Sequence, residues 1–199
     1  MTFNSQHIQI YNEMIKINGI EIDDESLLET FEMIDEIRGN TTLTYFEFAT
    51  LSAFYLFSKS NLDVAVLEVG LGGRLDATNI VDSDISIITS IGIDHTEFLG
   101  NTIDSIALEK AGVMRPFKTC IYAQEKPPAA LLKYAKNKSV DLLIHNNDYQ
   151  VNLGNSNWSL KSKNIFINEI PNLKMIGDYQ YNYAAASLLA LDIILPDSI

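Results

Sequence analysis

The sequence predicts an α/β protein: a mostly parallel sheet with helices on both faces, plus a small antiparallel meander near residues 148–168. Three observations carry this. Val64–Val69 and Ile85–Gly92 are short, largely apolar runs, as expected of parallel strands covered on both faces. Segments with helical apolar spacing alternate with such runs. Residues 148–168 alternate with period two instead, which marks half-buried antiparallel strands.

The elements follow in order. Residues 1–20 read as extended, with Ile8, Ile10, Ile15, Ile17 and Ile20 apolar and Asn18-Gly19 as a turn. Asp23–Arg38 is an amphipathic helix whose stripe is Leu27, Leu28, Phe31, Ile34 and Ile37. Thr44–Ser58 is a second helix. Thr44 and Glu47 make its capping box, and its nearly all-apolar body predicts burial. Strands at Val64–Val69 and Ile85–Gly92 come next. A helix over Asn101–Met114 is stopped by Pro116. Cys120–Ala123 and Asp141–His145 are short strands around a helix near Pro128–Asn137. The meander turns at residues 154–157, and Leu173–Gly177 leads into a last helix, Tyr181–Leu195.

The bulk numbers exclude several classes. A chain of 199 residues, 47% hydrophobic, is long enough for one large domain with a real core. A formal net charge of −12 argues against nucleic acid as a partner. Cys120 is the single cysteine, so no internal disulfide forms, and it reads as a buried small residue. No apolar run reaches the roughly 18 residues of a membrane span, and no signal peptide is apparent. The expected setting is the cytoplasm, with no membrane partner.

The most informative run is Val64–Asn79, VAVLEVGLGGRLDATN. Glu68 stands near the end of an apolar strand, before a turn loosened by Gly70, Gly72 and Gly73. Ligands of parallel α/β sheets collect outside the carboxyl ends of strands. A carboxylate there suits a metal-bound phosphate compound; its bland role is to cap the next turn. Asp94 and His95 follow the neighbouring strand at the same sheet edge. Lys110 shares a helix face with Ile103, Ile106 and Met114. A desolvated lysine loses its proton more readily, and a neutral amine reacts with carbon dioxide to give an anionic carbamate. The alternative is a lysine that snorkels to solvent or pairs with Glu109 or Asp94. Thr44-Tyr45-Phe46-Glu47 is either a cap with core aromatics or an aromatic wall for a flat heterocycle. Arg74-Leu75-Asp76 is either a turn ion pair or a further polar contact. No phosphate loop of the GxxxxGK[ST] type occurs in the 199 residues.

Four blocks together resemble the folylpolyglutamate synthase and dihydrofolate synthase family of Mur-type ligases. They are Leu67–Asn79, Thr44–Glu47, Ile93-Asp94-His95-Thr96 and Glu109-Lys110-Ala111-Gly112, in family order and at family-like spacing. The resemblance is strong over residues 1–115 and weaker beyond. It implies a partial central ATPase domain over residues 1–199, with ATP and Mg2+ as cofactors. Ser5, Glu68, His95 and a carbamylated Lys110 would surround the metal, with Lys110 and His95 serving catalysis. Thr44, Tyr45, Phe46, Glu47, Leu75, Asp76 and Ala77 would line the pterin site. The implied reaction adds L-glutamate to dihydropteroate or a reduced folate through an acyl phosphate.

The chain also departs from the family pattern. The family's phosphate loop lies upstream of the segment that starts here at Met1, and its glutamate-binding C-terminal domain would follow Ile199. A separate chain carrying the phosphate loop is therefore one partner to test for. Gln6 replaces the proline of Ser-Pro-His. Tyr179 and Tyr183 stand where the family has His and an adenine-contacting Asn. Asn182 lies one position away, and one residue on a helix turns a side chain by roughly 100°. Besides an active ligase, two readings stay open: a truncated, non-catalytic remnant, and a Mur-type ligase of cell-wall precursors.

Overall fold

The computed structural model describes residues 1–196. It falls into two compact units, Met1–Val81 and a second that begins at Asp82.

The first unit contains β1 (Thr2–Phe3), a 3₁₀ turn (Tyr11–Met14), β2 (Ile15–Ile17), β3 (Ile20–Glu21), α1 (Asp24–Arg38), α2 (Tyr45–Ser58), β4 (Val66–Leu67) and a second 3₁₀ turn (Ala77–Ile80). Its sheet has the order β3-β2-β1-β4. β1 pairs antiparallel with β2 and parallel with β4, where Phe3 faces Leu67. Asn18 and Gly19 both take positive φ, at 51° and 80°, which a two-residue hairpin of this hand requires. Phe3, Met14, Ile15, Ile22 and Leu27 pack against Ala49, Ala53, Leu56 and Phe57 of α2 to form the core.

Several sequence expectations need correction here. The N-terminal segment is not uniformly extended, because the 3₁₀ turn interrupts it. The buried line of α1 is Leu27, Thr30 and Ile34, while Leu28 and Ile37 are exposed. Leu28 is one residue, hence roughly 100°, off that line. α2 does bury Ala49, Thr50, Ser52, Ala53, Leu56 and Phe57, but Tyr45 and Leu51 are exposed. The Val64–Val69 run shortens to two paired residues. Its ladder is with β1, and Val66 is 56% exposed rather than covered.

The second unit contains β5 (Ile85–Ile88), α3 (Thr96–Leu99), α4 (Ile103–Ala111), β6 (Thr119–Tyr122), α5 (Ala129–Lys138), β7 (Asp141–Ile144), β8 (Tyr149–Leu153), β9 (Asn157–Ser162), β10 (Phe166–Pro171) and α6 (Tyr179–Ile194). β5, β6 and β7 form a parallel sheet in that order, with Ile85, Thr119 and Asp141 in register. Successive side chains of a strand point to opposite faces, and β6 shows the result. Cys120 and Tyr122 pack with Ala107 and Ala111 of α4 and Leu131 and Ala135 of α5. Ile121 and Ala123 pack with Ala185, Ala186 and Leu189 of α6 and with Tyr149, Trp158 and Leu160 of the meander. Helices therefore cover both faces of this sheet, as expected. The meander β8-β9-β10 is antiparallel throughout. α4 is shorter than the Asn101–Met114 reading, because Thr102 caps its start and Gly112 its end. α6 begins two residues earlier than expected.

Candidate functional site

The glycine-rich turn of the first unit is organised by Asp76. Its Oδ2 accepts the amides of Gly70 and Leu71 at 2.9 and 3.0 Å. Its Oδ1 accepts the amide and hydroxyl of Thr78 at 3.0 and 2.6 Å. A carboxylate offers about four acceptor sites, and here all four are engaged. Gly70 is needed for close approach: a Cβ there would sit 2.9 Å from two ring carbons of Phe46. At the end of β4, the Glu68 carboxylate accepts the Ser5 amide at 2.7 Å. Two of the expected metal-side residues, 63 positions apart, are thus neighbours.

Thr44 and Glu47 form the expected capping box, with reciprocal bonds of 2.7 and 3.2 Å. The amide and hydroxyl of Thr44 hold the Glu47 carboxyl below its ordinary pKa. Beside it opens a cavity of about 390 Å³ lined by Glu47, Thr50, Phe54, Leu75, Asp76 and Ala77 among others. Four of the seven expected pterin-site residues line it. Of the other three, Thr44 caps the helix, Phe46 packs on Phe3 with ring centroids 5.6 Å apart, and Tyr45 faces the N-terminal segment. The Tyr45 hydroxyl lies 3.3 Å from His7 Nδ1, and its ring meets Tyr11 edge-on at 5.4 Å. Burial raises the pKa of both Tyr11 and Tyr45, so both stay neutral phenols at physiological pH.

In the second unit, His95 adopts a left-handed backbone (φ 48°, ψ 42°) at the start of α3. This conformation is uncommon outside glycine, though histidine is among the residues that tolerate it. Asp94 accepts the His95 amide at 2.8 Å and lies 3.7 Å from Nε2. The imidazole is largely exposed. Lys110 is half-buried on α4, between fully buried Ile106 and Met114 at 3% exposure. Its ammonium has no hydrogen-bond or ion-pair partner among the described residues, so neither Glu109 nor Asp94 is its counter-ion. Asn182 is half-buried in the first turn of α6, where the Tyr179 and Tyr183 rings pack 5.6 Å apart. Cys120 is fully buried as expected, and burial pushes its thiol up to about 12.

The sequence reading missed two features. One is Glu13, whose carboxylate gathers three consecutive amides of the N-terminal loop. The other lies beyond the carboxyl ends of β6 and β7. There Tyr122 donates to Gln124 at 3.0 Å, Asn146 donates to Glu125 at 2.6 Å, and the His145 imidazole is buried with neither nitrogen hydrogen-bonded among the described residues. No residue spacing advertised either one. Glu13 acts through backbone amides, and His145 ends an otherwise ordinary strand.

Comparison with known proteins fixes the lineage. The Mur ligase middle domain model matches residues 5–191. The chain belongs to that family. It is similar to the dihydrofolate synthase/folylpolyglutamate synthase of Haemophilus influenzae (42% identical over 85% of this chain and 38% of that one) and of Escherichia coli (38% identical, 85% and 40%). Among solved structures it matches E. coli FolC in complex with DHPP and ADP, with a TM-score of 0.91, 37% identity, and coverage of 98% of this chain and 46% of that one. It also matches the Yersinia pestis bifunctional enzyme complexed with AMPPNP and Mn ion, with a TM-score of 0.88, 38% identity and coverage of 98% and 46%. The chain therefore spans less than half the length of these relatives. No helix among its described residues is long and apolar enough to cross a membrane.

Proposed function

We propose that this chain supplies part of the catalytic core of an ATP-dependent ligase that joins L-glutamate to dihydropteroate or a reduced folate. The observation that carries the reading is the Ser5–Glu68 hydrogen bond of 2.7 Å. It gathers a hydroxyl-bearing residue and an acidic oxygen donor at the end of a strand, beside a glycine turn, in a chain of Mur-ligase descent. Hard oxygen donors of this kind suit magnesium. Ser5 and Glu68 are the metal-side residues assigned on the first unit; His95 and a carbamylated Lys110 are those assigned on the second. A bound magnesium ion would neutralise phosphate charge and polarise phosphoryl oxygens.

The residues of the chain then have distinct tasks. The cavity beside Glu47, Leu75, Asp76 and Ala77 takes the pterin, with Thr44, Tyr45 and Phe46 shaping the adjoining wall. The substrate carboxylate attacks the γ-phosphorus of ATP, the bond to the bridging oxygen breaks, ADP leaves and an acyl phosphate forms. The amine of glutamate attacks the acyl carbon, phosphate leaves, and the amine gives up a proton as the amide forms. The demand on the protein is mainly close placement of amine and acyl carbon. Lys110, half-buried without a counter-ion among the described residues, is the amine assigned to carbamylation. Asn182 is assigned to the adenine, from the first turn of α6. ATP and reduced folate as substrates make the cytoplasm the expected compartment. A separate chain bearing a phosphate loop is the partner to test for. Residues 1–199 are assigned to part of the central domain, their last three lying outside the described range.

A second reading has one observation in its favour. The Tyr179 and Tyr183 rings pack together at the positions where the resemblance puts the family's His and Asn, which suits a chain that binds a pterin without turning it over. Isothermal titration with dihydropteroate and with magnesium–ATP, together with a glutamate-dependent phosphate-release assay, separates the two. Pteroate binding without ATP binding or phosphate release overturns the ligase reading. Ligation of an amino acid to a UDP-sugar peptide in place of a pteroate would move the chain to the cell-wall branch.

A further inference from the structure

We propose that Glu13 is a positioning residue that holds the Ser5–Ile10 loop in the shape that brings Ser5 against Glu68. The inference rests on the metal-side role given to Ser5 and Glu68 above.

Residues 6–10 are all exposed, with Ile8 at 93%. Side-chain burial therefore gives this loop no anchor; it is held by the contacts of His7 with Tyr11 and Tyr45 and by hydrogen bonds to its backbone. At its start the Ser5 amide donates to Glu68. At its far end one carboxylate takes three consecutive amides. Glu13 Oε2 accepts Ile8 at 2.7 Å, and Oε1 accepts Gln9 and Ile10 at 2.9 and 3.0 Å. These amides hold the Glu13 carboxyl below its ordinary pKa, so it is ionised wherever the protein is folded near neutrality. Glu13 is itself fixed, because the 3₁₀ turn that bears it runs directly into β2, and Asn4 donates its amide to Met14 at 2.8 Å. The segment is thus held at Ser5 on one side and at Ile8–Ile10, the last three of its five exposed residues, on the other. Release of the Glu13 clamp leaves the loop after Ser5 tied only through the His7 contacts with Tyr11 and Tyr45, so Ser5 keeps its own bond to Glu68 and the Asn4–Met14 bond beside it but loses the support of the chain that follows. The two variants differ in a useful way. Glutamine can keep either the Ile8 contact or the pair to Gln9 and Ile10, but not all three, because its amide nitrogen opposes an N–H. Alanine keeps none.

The test uses the 199-residue chain and two readouts besides activity. Hydrogen exchange at the amides of Ile8, Gln9 and Ile10 reads the clamp. Mn2+ titration by electron paramagnetic resonance, with ATP present, reads its consequence. Glu13→Ala should lose protection at all three amides and bind Mn2+ about tenfold more weakly, the low end of what loss of a partner behind a metal ligand costs. Glu13→Gln should fall between that and the parent, and Glu36→Ala, on the exposed face of α1, should match the parent. If Glu13→Gln and Glu13→Ala lose loop protection yet bind Mn2+ within twofold of the parent, the positioning role is overturned while the metal site stands. If the parent itself binds no Mn2+, the metal reading of Ser5 and Glu68 falls and takes this proposal with it, whatever the exchange data show.

Discussion

Replacing Asp76 with alanine removes four hydrogen bonds at once, those to Gly70, Leu71 and the amide and hydroxyl of Thr78. A bond to a charged acceptor contributes about 1.5–3 kcal/mol net. Asp76 is half-buried, so water recovers part of the loss, and the effects are not additive. We expect Asp76→Ala to destabilise the chain by about 3 kcal/mol, including about 1 kcal/mol from its role as cap of the second 3₁₀ turn. Asparagine should cost less, about 1–2 kcal/mol. Its oxygen can keep Gly70 and Leu71, and the Thr78 hydroxyl can rotate to accept from the new amide, which leaves only the Thr78 N–H opposed. Urea unfolding followed by far-ultraviolet circular dichroism gives the stability change. Hydrogen exchange at Gly70 and Leu71 localises it. Trp158 fluorescence should respond less, since that side chain is buried in the second unit. An alanine variant that loses no more than the about 0.5 kcal/mol of an ordinary surface change, with both amides still protected, refutes the claim that this carboxylate shapes the turn.

Other expectations are more local. Gly70→Ala forces a methyl against the Phe46 ring and should cost about 1–3 kcal/mol, read as a lower urea midpoint. Removing the cap hydroxyl with Thr44→Ala should cost about 1 kcal/mol and speed exchange at the Glu47 amide. His145 gives a pH signature. Burial holds its pKa below the ordinary value, against a smaller opposing pull from the Glu125 carboxylate. The unfolded chain therefore binds the extra proton first. The stability this imidazole contributes is complete above its unfolded pKa of about 6.5 and drains away as the pH falls below it. Urea midpoints read by Trp158 fluorescence should decline from about pH 7 to pH 5.5 in the parent and less steeply in His145→Leu. Equal slopes would show that His145 is not the group responsible.

The sequence was legible where one physical signal dominated. The capping box at Thr44, the Asn18-Gly19 hairpin, the β6-α5-β7 crossover and the period-two meander all depend on contacts within a few residues or on short-period patterns, and a linear reading can see those. It failed where partners are distant. Val64–Val69 has the composition of a doubly covered strand, yet only Val66 and Leu67 pair, and their partner is Thr2–Phe3, more than sixty positions away. Leu28 and Leu27 are identical in type and adjacent, and tertiary contact alone decides that one is buried. The site divides along the same line. Glu68 was conspicuous because an acid closes an apolar run. Glu13, whose three bonds all go to backbone, leaves no trace in the pattern of side chains.

The roles of the acidic residues also show why a motif match is weaker than a geometry. Glu47 and Asp76 both fall in blocks that resemble a substrate site, and both line the same cavity. Yet Asp76 has its four acceptor sites filled by the turn, and Glu47 spends an oxygen on its own helix cap. A ligand entering the cavity can use the second Glu47 oxygen, but at Asp76 it must share an oxygen that already serves the fold. Selection on either residue for binding and for stability cannot be separated by substitution of that residue alone. The separation comes from the residues that shape the cavity without such duties. Phe54→Ala should weaken pteroate binding while leaving exchange at Gly70 and Leu71 as in the parent. If those amides lose protection as well, cavity and turn form one cooperative unit, and pterin binding cannot be assigned to the lining alone.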